Sequence, residues 1–202
     1  KTMYNYINDG ALITRNVDLK RKVKFKPRKI HKTQIKNREV FTNRTYADFK
    51  ALNLCSGDFW EMDTVVSARG SLKCILTFFD PETSLFYARL LPSHEPCFVE
   101  RALNTMEKAL GGVYEFQSVF PVILTDRGVE FGKPNDLETD PDGVIRTSIY
   151  YCDPMRSGQK GGIEETHMLL RMVIPKGTVF TGLSQWDIRR IVNHINSYPR
   201  KN

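Results

Sequence analysis

Three acidic positions could carry chemistry in this chain. Asp126 closes an apolar run, Phe120-Pro121-Val122-Ile123-Leu124-Thr125, and is followed by Arg127, Gly128, Val129, Glu130 and Phe131. Residues 122–124 read as a short buried strand bounded by Pro121 and Gly128. Asp126 then falls where that strand leaves its sheet, the place where ligands collect in α/β folds. Asp63 lies in Trp60-Glu61-Met62-Asp63-Thr64-Val65, and Glu164 lies in Gly161-Gly162-Ile163-Glu164-Glu165. Three carboxylates suit magnesium, a hard cation that takes oxygen ligands and keeps several waters. Two such ions roughly 3.5–4 Å apart serve phosphodiester chemistry, one beside the attacking oxygen and one beside the leaving oxygen. In that reading Asp63 bridges both ions, while Asp126 and Glu164 each hold one. The same residues have plainer roles. A strand-end acid is often a turn or ion-pair residue, and an acid in the first turn of a helix is favoured by the helix dipole alone. Spacing by itself therefore leaves the triad open, with Glu61, Glu130 and Glu165 as neighbouring acids that could be mistaken for members.

The elements that must position these acids follow from hydrophobic pattern. Residues 59–66, 72–79 and 85–91 read as three strands joined by tight turns, an antiparallel meander. Residues 95–110 read as a helix with Phe98, Ala102, Leu103, Met106 and Leu110 on its apolar face, stopped by Gly111-Gly112. The strand at 122–125 returns after that helix and so runs parallel to its neighbour. Residues 133–143 read as a loop, 144–151 as a fifth strand, and 152–162 as a second loop. A helix over 163–173 carries Glu164, with Met168, Leu169 and Met172 facing the core. A last helix over 183–198 is capped by Ser184 and Asp187 and buries Trp186, Ile188, Ile191, Val192 and Ile195. Upstream, 42–54 is helical with Tyr46, Phe49 and Leu52 in a stripe. A short helix near the start ends at Gly10. The fold expected is α/β, a ribonuclease H-like mixed five-stranded sheet flanked by helices, with a basic N-terminal arm.

The 202 residues, 41% of them hydrophobic, suffice for one medium domain with a sizeable core and exclude wholesale disorder. Thirty Lys and Arg against 23 Asp and Glu give a formal net charge of +7, which favours a polyanionic partner. The basic residues concentrate in 15–38, where Lys20, Arg21, Lys22, Lys24, Lys26, Arg28 and Lys29 accompany one acid, Asp18. Such a run is either a solvated linker or an arm that tracks phosphates. Cys55, Cys74, Cys97 and Cys152 show no metal-binding spacing, so reduced thiols are the default. No apolar run reaches membrane-spanning length. The start at Lys1, without methionine, reads as that of a fragment or a processed chain.

Several segments together resemble bacterial transposases of the insertion-sequence thirty family: 60–65 (WEMDTV), 124–131 (LTDRGVEF), 150–171 (YYCDPMRSGQKGGIEETHMLLR), 174–180 (IPKGTVF) and 194–201 (HINSYPRK). The resemblance implies a DDE catalytic core related to retroviral integrases, with Asp63, Asp126 and Glu164 as the catalytic, metal-binding acids. It implies magnesium or manganese, two ions, hydrolytic release of a 3′ end and transfer of that end into target DNA. Double-stranded DNA, as terminal inverted repeats and as target, would be the partner of a homo-oligomer in the bacterial cytoplasm, at the nucleoid. By the same resemblance residues 1–14 would end a helix-turn-helix region, 15–56 would be a basic linker and helix, and 57–202 the catalytic core. Arg127 stands where the family commonly has asparagine, and Ile163 where many members have asparagine. Arg127 could pair with Asp126 against a metal, or face outward to a phosphate. Arg156, Lys160 and Lys176 are further candidates for phosphate contacts, as are Arg200 and Lys201 in the tail. His167 could touch DNA, assist proton transfer, or simply pack at the cleft edge. Two alternatives remain: a degenerate relative that binds DNA without cutting it, motivated by Arg127, and a ribonuclease H-type enzyme acting on RNA–DNA hybrids.

Overall fold

Alternation along the strand Trp60–Val66 (β1) decides how the sheet is covered. Successive side chains point to opposite faces. Trp60 and Met62 therefore face one way, and Glu61, Asp63 and Val65 the other. In the computed structural model, which describes residues 3–14 and 37–198, β1 is the central strand of a five-stranded sheet ordered β3-β2-β1-β4-β5. Its companions are Cys74–Phe79 (β2), Phe86–Leu91 (β3), Val122–Thr125 (β4) and Ser148–Tyr151 (β5). β1 pairs antiparallel with β2 and β2 with β3, while β1–β4 and β4–β5 are parallel. This is the expected meander followed by a parallel return, a ribonuclease H-like arrangement in which β2 alone runs against the other four strands.

Helices cover both faces. Pro96–Leu110 (α3) and Val113–Val119 (α4) bury Val99, Ala102, Leu103, Met106 and Phe116 against Met62, Leu76, Phe78 and Ile123. On the other face Gly161–Val173 (α6) and Gln185–Ser197 (α7) bury Leu170, Ile188, Val192 and Ile195 against Val65, Ile75, Phe86 and Ala88. The short helix Tyr46–Ala51 (α2) brings Phe49 onto Leu124 and Cys152. The outer edge of β3 is closed by side-chain amides of α7. Asn196 pairs with both backbone groups of Phe86 (2.9 and 2.8 Å), and Gln185 accepts from the Leu90 N–H (2.8 Å). An edge strand that would otherwise offer itself to another chain is thereby occupied.

The chain divides into two compact units, 1–32 and 33–202. In the first, Met3–Asn8 (α1) ends at Gly10, whose φ of +71° is the left-handed cap expected there. The second unit holds the sheet together with α2. The arm residues Lys20, Arg21, Lys22, Lys24, Lys26, Arg28 and Lys29, and the tail residues Arg200 and Lys201, lie outside the described residues.

Several expectations change. Residues 113–119, left without an element in the sequence, form α4. Its N-cap is Gly112, which offers no capping side chain to read. Pro134–Glu138 (α5), with proline in its first turn, lies inside the predicted loop. The fifth strand begins at Ser148, four residues later than expected. Leu52, Leu110, Met168, Met172 and Trp186, which periodicity places on apolar faces, are exposed. The buried stripe of α6 is Ile163, Thr166 and Leu170 instead. In short helices with apolar residues on several sides, 3.6-residue periodicity admits more than one stripe.

Candidate active site

Asp63 and Asp126 are brought together by strand register. The parallel ladder pairs Trp60 with Ile123 and Glu61 with Leu124, and two residues further along come Asp63 and Asp126. Neighbouring strands are about 5 Å apart, so both carboxylates open into the space beyond the end of β4. The Asp126 carboxylate accepts the Gly128 N–H (2.9 Å), a turn that holds it at the strand end. A side chain on Gly128 would run into the Glu130 carboxylate, which explains glycine there. Asp63 Oδ1 accepts the N–H of Thr64 (2.7 Å).

A buried ammonium faces these acids. Lys160 is only 4% exposed, and its Nζ lies 3.1 Å from Asp63 Oδ2 and donates to the Met62 carbonyl at 3.1 Å. Burial works to lower the Lys160 pKa, but the charges of Asp63 and Asp126 outweigh it and hold the pKa above the ordinary lysine value. Asp126 shifts upward, by burial first and by the charge of Asp63, against the opposing pull of Lys160. Expected at the cleft rim as a phosphate contact, Lys160 instead balances the acids from within.

Glu61, on the same face of β1 as Asp63, anchors the helix that carries Glu164. Its Oε2 accepts the Ile163 N–H at the start of α6 (2.6 Å), so a carboxylate meets the positive end of a helix dipole. Burial nonetheless raises the Glu61 pKa. Gly162 is pressed against the ring of Phe79, where a Cβ would not fit. Glu164 projects from the first turn of α6 and is exposed. Among the described residues no three His, Cys, Asp or Glu side chains are grouped to hold a metal. The structure thus unites Asp63 and Asp126 and leaves Glu164 apart from them. The aspartate pair does fit a hard cation. It supplies oxygen donors, and Lys160 is the cation already standing at Asp63.

Behind this centre Glu130, 3% exposed, accepts the Thr64 hydroxyl (2.6 Å) and pairs with His94 (2.7 Å). Its other oxygen has no hydrogen-bond partner among the described residues. The hydrogen bond to Glu130, with the charges of Glu130, Asp126 and Asp63, raises the His94 pKa against the effect of burial. Nothing in the sequence links His94 to this cluster, whereas Glu61 was findable as an acid two residues from Asp63.

His167 is neutral. The Thr77 hydroxyl donates to the Asp63 carbonyl (2.9 Å), so its oxygen accepts from His167 Nε2–H (2.8 Å). Burial pushes the His167 pKa down to about 4, which leaves it uncharged toward phosphate at neutral pH. An ordinary histidine in the unfolded chain takes up a proton below about pH 6.5. Between there and pH 4 the unfolded state binds more protons, and stability falls with pH by up to about 3 kcal/mol. Urea unfolding of His167→Gln beside the parent, from pH 7 to pH 4, is expected to remove most of that slope. An unchanged slope would show that His167 is not the group responsible. The rise at His94 acts in the opposite direction and is present in both proteins, so it cancels in the difference.

No family model matches the chain. The transposase for insertion sequence element IS4351 of Bacteroides fragilis is 29% identical over 141 residues, 70% of this chain and 40% of that protein. Transposase InsI for insertion sequence element IS30A of Escherichia coli (strain K12) is 28% identical over 142 residues, 70% of this chain and 34% of that protein. The chain is IS30-transposase-like. It spans less than half the length of these two relatives. Among solved structures, the catalytic core domain of BIV integrase is similar at 13% identity with a TM-score of 0.49, covering 72% of this chain and 88% of that one.

In this IS30-like chain Arg127 turns away from Asp126. Its Nε donates to the Cys152 carbonyl (3.0 Å), its guanidinium lies 3.8 Å from Asp153, and it stacks 4.3 Å from the centre of the Phe41 ring. It therefore clamps the start of the 152–160 segment and does not neutralise Asp126. Arg156 and Lys176 are exposed, where a phosphate could reach them. No helix among the described residues is long and apolar enough to cross a membrane.

Proposed function

We propose that the chain is the catalytic part of a DDE-type polynucleotidyl transferase that cleaves DNA at the ends of an insertion sequence and transfers the freed 3′ ends into target DNA. The observation that carries this is the pair Asp63 and Asp126, set side by side by the β1–β4 register with a buried cation against them, next to the helix bearing Glu164. The transposase names of the relatives support the same reading. Asp63, Asp126 and Glu164 are the proposed ligands of magnesium or manganese. Bound there, such ions supply an activated attacking oxygen and a sink for developing charge. The Gly128 N–H orients Asp126, the Glu61–Ile163 bond fixes the base of the helix carrying Glu164, and Thr77 with His167 supports the backbone of Asp63. Arg156 and Lys176, together with the basic stretch 15–38, are proposed to meet the phosphates of double-stranded DNA, both terminal repeats and target, in a homo-oligomer.

A second reading, a DNA-binding relative that no longer cuts, is favoured by two observations: Asp63 is engaged by Lys160, and among the described residues Glu164 is not grouped with the aspartates. A supercoiled-plasmid nicking assay with manganese separates the two. The catalytic reading expects nicking by the parent chain and its loss in Asp126→Asn and Glu164→Gln. DNA binding without nicking, unaffected by these substitutions, would leave the second reading standing.

A further inference from the structure

We infer that Lys160 is an internal counter-cation of the acidic centre: without metal its ammonium holds Asp63, and a divalent ion binds there only when Lys160 lets go. This rests on the proposed metal role of Asp63 and Asp126. Both Asp63 oxygens are already engaged, Oδ1 by the Thr64 N–H at 2.7 Å and Oδ2 by Lys160 at 3.1 Å. A magnesium ion sits about 2.1 Å from its oxygen ligands, so an ion taken on at Oδ2 would stand within a few ångströms of the ammonium. Two cations that close in a site shielded from water repel strongly. The ammonium and the ion are therefore alternatives at this carboxylate.

The local backbone lets Lys160 move while its helix stays in place. Lys160 ends the short 3-10 segment Ser157–Lys160, with φ of −126° and ψ of 56°, outside the helix proper. Gly161 follows, and a Cβ there would meet nothing. Beyond it α6 is fixed, by Gly162 against Phe79 and by the Ile163 N–H on Glu61. Among the contacts of the described residues, the attachments that hold the Lys160 ammonium inside are Asp63 and the Met62 carbonyl, one charged and one neutral. Lys160 is thus a positioning residue that keeps the carboxylates compact and paired until metal arrives.

Calorimetric titration of manganese into the parent chain and Lys160→Met, without DNA, tests this. The variant is expected to bind at least about 10-fold more tightly, within the range by which neighbouring groups tune metal sites. Reductive methylation of the parent read by mass spectrometry supplies a measurement that needs no variant. Lys160 should be protected without manganese and become reactive at saturating manganese. Equal or weaker binding by a folded Lys160→Met would overturn the inference while leaving the metal role of the aspartates intact. If the variant fails to fold, continued protection of Lys160 in manganese-saturated parent overturns it. No saturable binding in either chain sinks both the inference and the metal reading beneath it.

Discussion

Asp63→Asn is expected to lower strand nicking by about 10³-fold or more, because a metal-assembled centre stabilises the transition state by several kcal/mol and each 1.36 kcal/mol is a factor of ten. The same substitution should also reduce stability. Lys160 would keep its charge at 4% exposure with the Met62 carbonyl and the more distant Asp126, but without its ion-pair partner. An uncompensated buried charge of this kind costs about 3–5 kcal/mol. The two effects have different origins, and a double substitution separates them. In Asp63→Asn/Lys160→Met neither charge remains, and stability should return close to that of the parent, since replacing both members of a buried pair is often nearly neutral. Nicking should stay lost. Activity recovered together with stability would mean that the single variant failed only because it unfolded. Absence of any destabilisation in Asp63→Asn would mean that Asp63 is not what holds Lys160.

The parts of this centre that were legible in the sequence are those set by local pattern. The apolar run ending at Thr125 gave β4 and hence the placement of Asp126, and the alternation through 60–66 gave β1 and Asp63. Ser184 with Asp187 announced α7 through its capping box, which is present. The illegible parts depend on partners far away in the chain. Lys160 meets Asp63 across 97 residues, and an isolated lysine beside glycines reads as surface charge because lysines are rarely buried unpaired. Arg127 beside Asp126 suggested an ion pair, yet adjacent residues at the end of a strand point in different directions, and the guanidinium found Cys152 and Phe41 instead. Thr64 and His94 gave no signal, since their meeting with Glu130 is made by the turn after β4 and the loop before α3.

Arg146 was equally hidden, and its substitution is expected to produce a large loss of stability. The residue is fully buried. It donates to Glu107 (3.0 Å), Asn104 (2.5 Å) and the carbonyls of Leu137 (3.0 Å) and Asp136 (3.3 Å), and lies over the ring of Phe116. Burial lowers its pKa while Glu107 opposes the change, so the pair stays ionic. Arg146→Met keeps the bulk of the stem but strands a carboxylate that is itself 7% exposed. Removing one member of such a pair costs about 3–5 kcal/mol. Against a total of about 5–15 kcal/mol for a domain, that is enough to shift the urea midpoint severely. Arg146→Met/Glu107→Leu should recover only part of the loss, because two carbonyls and Asn104 remain without their donor. Full recovery would reduce Arg146 to the Glu107 pair alone. A midpoint unchanged in the single variant would contradict the buried network itself. The consequence for the site is indirect but real. Arg146 joins α3 to α5 and to the entry of β5, and β5 is the strand whose ladder with β4 holds Thr125, the residue before Asp126, in register with Tyr151. Loosening that corner should raise the flexibility of the Asp126 turn before the chain unfolds. Amide exchange at Gly128 is the measurement that would register it, as faster exchange in Arg146→Met than in the parent under conditions where both are folded.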